Sequence, residues 1–136
     1  MKKTGQDESS ERKYDGFAPG LFTLDGFGAG GFLFGGMSHR GSLLCLPDGV
    51  HALAAQSLAE VDEASLAPLF ALPRGSVDLL LFGCGPSLLP VPRGLREKLR
   101  SLHIGCDPMS TGAACQTYNI LLGEKRPVGA VLIATA

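Results

Sequence analysis

Residues 77–82 read Val-Asp-Leu-Leu-Leu-Phe, an apolar run with glycine close on either side at Gly75 and Gly83. A strand with one wet face alternates apolar and polar side chains, whereas a near-continuous run bounded by glycine marks a strand covered on both faces. The run therefore predicts the centre of a sheet, with the carboxyl end of that strand entering the turn Gly83-Cys84-Gly85-Pro86.

The segments downstream extend the pattern. Arg93–Leu102 places Leu95, Leu99 and Leu102 on one side and Arg93, Arg96 and Arg100 on the other, the spacing of a short amphipathic helix. His103–Cys106 predicts a second strand, Thr111–Leu122 a helix of small residues, and Val128–Thr135 a last buried strand after the turn at Lys125–Pro127. Strand, helix, strand, helix, strand requires crossover connections and some parallel pairing.

Upstream the pattern changes. Leu21–Phe27, Gly31–Met37 and Ser42–Leu46 are extended segments, the last ended by the turn Pro47-Asp48-Gly49, and Val50–Ala55 adds another. Asp62–Leu72 carries Leu66, Leu69 and Phe70 at helical spacing behind acidic first-turn residues, and Pro73 and Gly75 stop it. The N-terminal half is a β-rich meander and the C-terminal half is α/β.

A chain of 136 residues is the size of one domain. Hydrophobic residues make up 45%, charged ones 18%, and the net charge is −1, a balance that excludes a disordered chain and a generally basic nucleic-acid binder. Eight charged side chains, four of each sign, fall within residues 1–15, which read as a disordered polar arm without the apolar core of a secretory signal. Residues 16–136 form the single α/β domain. Gly, Pro or a charge interrupts every apolar stretch before it could span a membrane, and Cys45, Cys84, Cys106 and Cys115 show no Cys-x-x-Cys spacing. Reduced thiols, a cytoplasmic protein and neither metal nor cofactor are the expectation.

Three features could carry chemistry. Gly26-Phe27-Gly28-Ala29-Gly30-Gly31 fits the G-x-G-x-x-G pattern of a dinucleotide turn, but Phe32, Leu33, Phe34, Gly35 and Gly36 follow where that motif needs a helix, so a glycine-rich hairpin is expected instead. If the strands ending near Phe82 and Asp107 are parallel neighbours, the turn Gly83, Cys84, Gly85 and the helix start Ser110, Thr111, Gly112, Ala113 share the carboxyl edge of the sheet. Those residues are the predicted ligand-binding set, Thr111 serving as helix cap and free N–H groups receiving a small anion; an ordinary capped helix beside a tight turn accounts for them equally well. Cys84 lacks a base, because no spacing brings His39, His51 or His103 to it. The third feature is the basic helix face of Arg93, Arg96, Lys98 and Arg100 against Glu97, which suits an acidic partner or a phosphate and more often is simply solvated.

Leu24–Gly28 with Gly31–Gly36, then Leu79–Gly85, then Met109–Leu122 resemble domain-of-unknown-function family 498, in order and with similar spacing over about residues 18–135. The resemblance implies a single three-layer MTH938-like domain with a central mixed β-sheet and an N-terminal β-rich layer. That family includes a mitochondrial assembly factor of respiratory complex I, so the resemblance also implies a protein partner, complex I subunits or assembly factors, and no catalytic residues. The family commonly has threonine where this chain has Cys84, which leaves a small polar turn residue as the shared feature. Two functions follow as expectations: a non-catalytic assembly or interaction factor, cytoplasmic or peripheral to the inner membrane through its partner, and, as the alternative, an anion-binding protein or enzyme using the carboxyl-edge residues.

Overall fold

The computed structural model describes residues 14–136; the polar segment 1–13, most of the expected arm, lies outside the described residues. Six strands form one mixed sheet: β1 (Phe17–Pro19), β5 (Ser42–Leu46), β6 (Gly49–Leu53), β7 (Leu79–Gly83), β8 (Gly105–Met109) and β9 (Val128–Leu132), in the order β1-β6-β5-β9-β7-β8. β7 pairs in parallel with both β8 and β9, while β9, β5, β6 and β1 are joined antiparallel. The strand at residues 77–82 is thus flanked on both sides but is not the middle of the sheet. The β5–β6 hairpin adds beyond β9, which shifts the centre to the β5–β9 pair.

Each face of the sheet has its own cover. On one side Leu44, Leu46, Leu80, Phe82 and Val131 pack under α2 (Arg93–Ser101), through Leu95 and Leu99, and under α1 (Ala67–Phe70). On the other, Leu43, Cys45, Leu81, Ala130 and Leu132 pack under α3 (Thr111–Gly123) and a separate antiparallel sheet of β2 (Gly26–Gly28), β3 (Gly31–Phe34) and β4 (Met37–Arg40). Residues 80–82 alternate between the two cores, so a run with no polar position is what this location demands.

The small sheet is built from two tight hairpins. Gly28 faces Gly31 across Ala29 and Gly30 at φ 51° and 81°, and Phe34 faces Met37 across Gly35 and Gly36 at φ 55° and 76°. Two consecutive positive φ values define the turn whose twist suits a hairpin; glycine reaches them without steric cost at three of the four positions, and Ala29 is the exception. The G-x-G-x-x-G stretch is therefore a hairpin, as its sequence context predicts.

Several element boundaries differ from expectation, each for a local reason. The helix expected over residues 62–72 shrinks to four residues because Pro68, which lacks an N–H and crowds the preceding turn, fits only in a first turn; the chain before it forms a turn held by reciprocal Asp62 and Ser65 bonds. Residues 21–25 do not form a strand. The Leu24 N–H donates to Asn119 Oδ1 and its carbonyl accepts from Asn119 Nδ2, both at 2.8 Å, so a side chain of α3 takes the place of a neighbouring strand. The last strand ends at Leu132, since the Ile133 carbonyl accepts from the Thr111 hydroxyl. Tyr14, read as part of the arm, packs edge-on against Phe34 at 5.3 Å and donates to the Val50 carbonyl.

Both outer strands of the large sheet carry a proline, Pro19 in β1 and Pro108 in β8. In β8 the Gly105 N–H donates to Asp78 O and the Met109 carbonyl accepts from Cys84 N, so by alternation the backbone of Cys106 and Pro108 faces outward. Proline removes a donor there at no loss to the ladder and blunts the edge against pairing with another chain.

Candidate functional site

The predicted site residues do meet. Because β7 and β8 are parallel neighbours, with Gly83 opposite Met109, the turn after β7 and the start of α3 lie side by side at the carboxyl edge. The glycine at 83 permits their approach, since a Cβ there would sit 3.0 Å from Thr111 Cα and 3.1 Å from Ala114 Cβ.

The two loops are laced together. Cys84 N donates to Met109 O at 2.8 Å, Thr111 N to Gly85 O at 2.9 Å, and Ile133 N to Gly83 O at 3.0 Å. The Thr111 hydroxyl, fully buried, accepts from Gly85 N at 2.9 Å and donates to Ile133 O at 2.7 Å, clasping the turn, the helix and the chain after β9 in one network. Thr111 is therefore not the cap. Ser110 is: its hydroxyl accepts from Ala113 N at 3.3 Å, and its carbonyl accepts from Ala114 N.

Of the first-turn donors, Thr111, Ala113 and Ala114 N–H groups are thus used within the chain, and Gly112 N is the one without a partner among the described residues. Over Gly112 lies a ring: a Cβ at this position would come 2.8 Å from Phe27 Cζ. The hairpin that resembled a nucleotide turn thus lends its aromatic side chain to cover the helix start. Phe27 stays half exposed, and in the loop leaving Gly85 both Leu88 (66%) and Leu89 are exposed as well. The edge is a tied backbone surface with apolar side chains around it.

Cys84 is buried, its sulfur 3.3 Å from Phe82 O and 3.5 Å from Leu89 O, within reach of either carbonyl as a weak donor. A threonine hydroxyl fits this role. Cys84→Thr is expected to shift the stability by no more than about 1 kcal/mol, measured by urea unfolding, and to leave partner capture unchanged; loss of capture by a folded variant would restore a thiol role.

The other thiols are distinguished by burial. Desolvation raises the Cys45 thiol well above its ordinary value and pushes Cys115 up to about 11. Burial also raises Cys106, but Arg96 and Arg100 beside it pull in the opposite direction, and of the four cysteines this one is only partly buried. A disulfide reagent at pH 8 is expected to modify Cys106 rapidly in the folded protein and the other three only on unfolding; fast release of a second equivalent would contradict these burials.

A sequence profile described as protein of unknown function (DUF498/DUF598) matches residues 24–133, which include the Gly26–Gly36 hairpins, the Gly83–Gly85 turn and all of α3. The chain belongs to the DUF498/DUF598 family. An uncharacterized family relative from Rhodobacter capsulatus is 45% identical over 118 residues, 87% of this chain and 88% of the relative. A crystal structure described as an outer membrane protein from Bartonella henselae is 39% identical and superposes with a TM-score of 0.81 over 87% of this chain and 98% of that one. The Rpa2829 protein from Rhodopseudomonas palustris, at 43% identity, gives 0.74 over 86% and 87%. A Mth938-like domain from Bordetella pertussis, at 21% identity, shares the fold with a TM-score of 0.71 over 97% and 92%. The three-layer architecture is thus that of Mth938-like proteins. Among the described residues no helix is long and apolar enough to cross a membrane.

Proposed function

We propose that this DUF498/DUF598 protein is a non-catalytic assembly or interaction factor of the cytoplasm that receives a protein partner at the carboxyl edge of its sheet. The observation that carries the reading is the Thr111 clasp. A ligand pocket between two loops needs unspent polar groups facing a gap, yet here Cys84, Gly85, Thr111 and Ala113 spend theirs within the fold, and the exposed side chains nearby are Phe27, Leu88 and Leu89. The resemblance stated for this family supplies the partner class, subunits or assembly factors of respiratory complex I, with attachment to the inner membrane face through them.

The test is a quantitative pull-down with the tagged full chain and with Leu88→Ser/Leu89→Ser, from membranes and cytosol of the source cells. Capture of complex I proteins that falls at least tenfold in the double variant is the expected result. Equal capture by both forms, or none by the wild type, overturns the reading.

The anion-binding alternative rests on Gly83, Cys84, Gly85, Ser110, Thr111, Gly112 and Ala113, of which Gly112 N, Ser110 N and the Ser110 hydroxyl have no acceptor among the described residues. Calorimetric titration with phosphate and sulfate decides it. No heat of binding at millimolar anion is expected, and saturable binding weakened by a bulky residue at Gly112 would favour the pocket.

A further inference from the structure

Five charged side chains lie on α2, and the structure divides them into paired and unpaired sets. Arg93 bonds Glu97 at 3.2 Å, and Lys98 reaches Glu63 at 3.4 Å while lying 5.5 Å over the Phe70 ring. Arg96 and Arg100 have no carboxylate partner among the described residues. They stand four residues apart, one turn of helix, where like charges face and repel each other. Glu97, the one carboxylate on the same helix, is bonded to Arg93 instead.

Both arginines line an open groove of about 660 Å³ between α2 and β8, shared with His103, Cys106 and Pro108. The same two arginines, with the Arg93–Glu97 pair, border a second depression that runs back to Pro90 and Val91, the residues that follow the exposed Leu88 and Leu89 in the chain. An exposed apolar pair and the two unpaired arginines are thus joined by the short stretch Pro90–Pro92. Pro108 offers no N–H along this edge, which leaves Cys106 as the outward-facing backbone donor of β8 and shifts recognition toward side chains.

We infer that the Arg96–Arg100 groove is a docking site for an extended acidic segment of a partner protein, whose carboxylates bridge the two guanidinium groups and whose flanking apolar residues rest on Leu88 and Leu89. Guanidinium forks match carboxylates two bonds at a time, which makes paired arginines suited to Glu and Asp side chains. The inference rests on the interaction reading above and names the chemistry of the partner. Charge complementarity also makes it sensitive to salt.

The test uses a fluorescein-labelled synthetic peptide, two leucines followed by four glutamates spaced by glycine, titrated into the full chain by fluorescence anisotropy. Saturable binding is expected, weakened at least tenfold by Arg96→Ala/Arg100→Ala and by 0.5 M NaCl, and unchanged by Arg74→Ala, which removes an arginine away from the groove. A peptide with lysine in place of glutamate is expected not to bind. Absence of saturable binding, equal binding of the lysine peptide, or insensitivity to the double substitution overturns the proposal. Tighter binding of a labelled twelve-nucleotide oligo-dT through the same arginines overturns it in favour of nucleic acid. Asp7, Glu8 and Glu11 are the acidic groups of this chain outside the described residues; if neutralising all three to amides tightened peptide binding tenfold, the chain's own N-terminal segment would be the occupant and the partner would not. In the pull-down, a partner lost with Leu88→Ser/Leu89→Ser but retained by Arg96→Ala/Arg100→Ala would sink the groove and spare the interaction reading.

Discussion

Thr111→Val is expected to lower the stability of the protein by about 3 kcal/mol and its melting temperature by about 10 °C. Valine has the shape of threonine without the hydroxyl, so packing is nearly kept while Gly85 N loses its acceptor and Ile133 O its donor, both in a position from which water is excluded. A buried donor and a buried acceptor left unpaired cost far more than a surface hydrogen bond returns. Thr111→Ser keeps the oxygen and removes one methyl group, a loss of about 1 kcal/mol. Thermal and urea unfolding of the two variants side by side isolate the hydroxyl. If valine and serine proved equally stable, the clasp would not be what holds the carboxyl edge together, and the argument against a pocket there would lose its support.

Gly31→Ala is expected to cost about 3 kcal/mol, with the damage concentrated in the small sheet. The reason is steric. A Cβ at Gly31 would overlap the carbonyl oxygen of His39 and come within 3.1 Å of Arg40 Cα, and backbone in a paired strand cannot step aside as a flexible side chain can. Gly28→Ala is a different case, strained by its φ of 125° with nothing within 4 Å to collide with. Hydrogen exchange would show the first as faster opening of residues 26–40 while β7 and α3 keep their protection. A Gly31→Ala protein as stable as the wild type would mean that β3 and β4 do not approach as closely as described.

These glycines show how far a motif can be read from sequence. The spacing at residues 26–31 was ambiguous on its own, and the residues after it decided the matter, since Phe32, Leu33 and Phe34 suit a strand and no helix follows to present N–H groups. Amphipathic spacing likewise placed α2 to within a residue, because a helix buries what its own periodicity brings to one side. Periodicity failed at residues 62–72, where Leu66, Leu69 and Phe70 keep helical spacing but Pro68 sits among them; the backbone constraint prevailed over the pattern.

The candidate site divides in the same way. That Gly83–Gly85 and Ser110–Ala113 share an edge could be inferred from strand order, because parallel strands put the loops that follow them at one end. Whether those loops enclose a space or bind to each other could not, since it turns on which acceptor the Thr111 hydroxyl meets, 22 residues away in sequence at Ile133. Asn119 is a second instance. A polar residue in a helix reads as solvated, and nothing local announces that it holds both backbone groups of Leu24, 95 residues earlier.

By itself the sequence determined the α/β class, the doubly covered strand, the hairpin at residues 26–31 and the amphipathic α2, all consequences of side-chain pattern and backbone preference acting within a few residues, whereas the segment expected to run extended from Gly31 to Met37 is broken by a second turn at Gly35 and Gly36. Only the tertiary structure decided that β7 lies beside and not at the centre of the sheet, that the carboxyl edge is laced shut by Thr111, and that Arg96 and Arg100 alone on α2 lack a carboxylate among the described residues. Those outcomes depend on which distant groups come within hydrogen-bonding or ion-pairing distance, and that is set by how the layers pack.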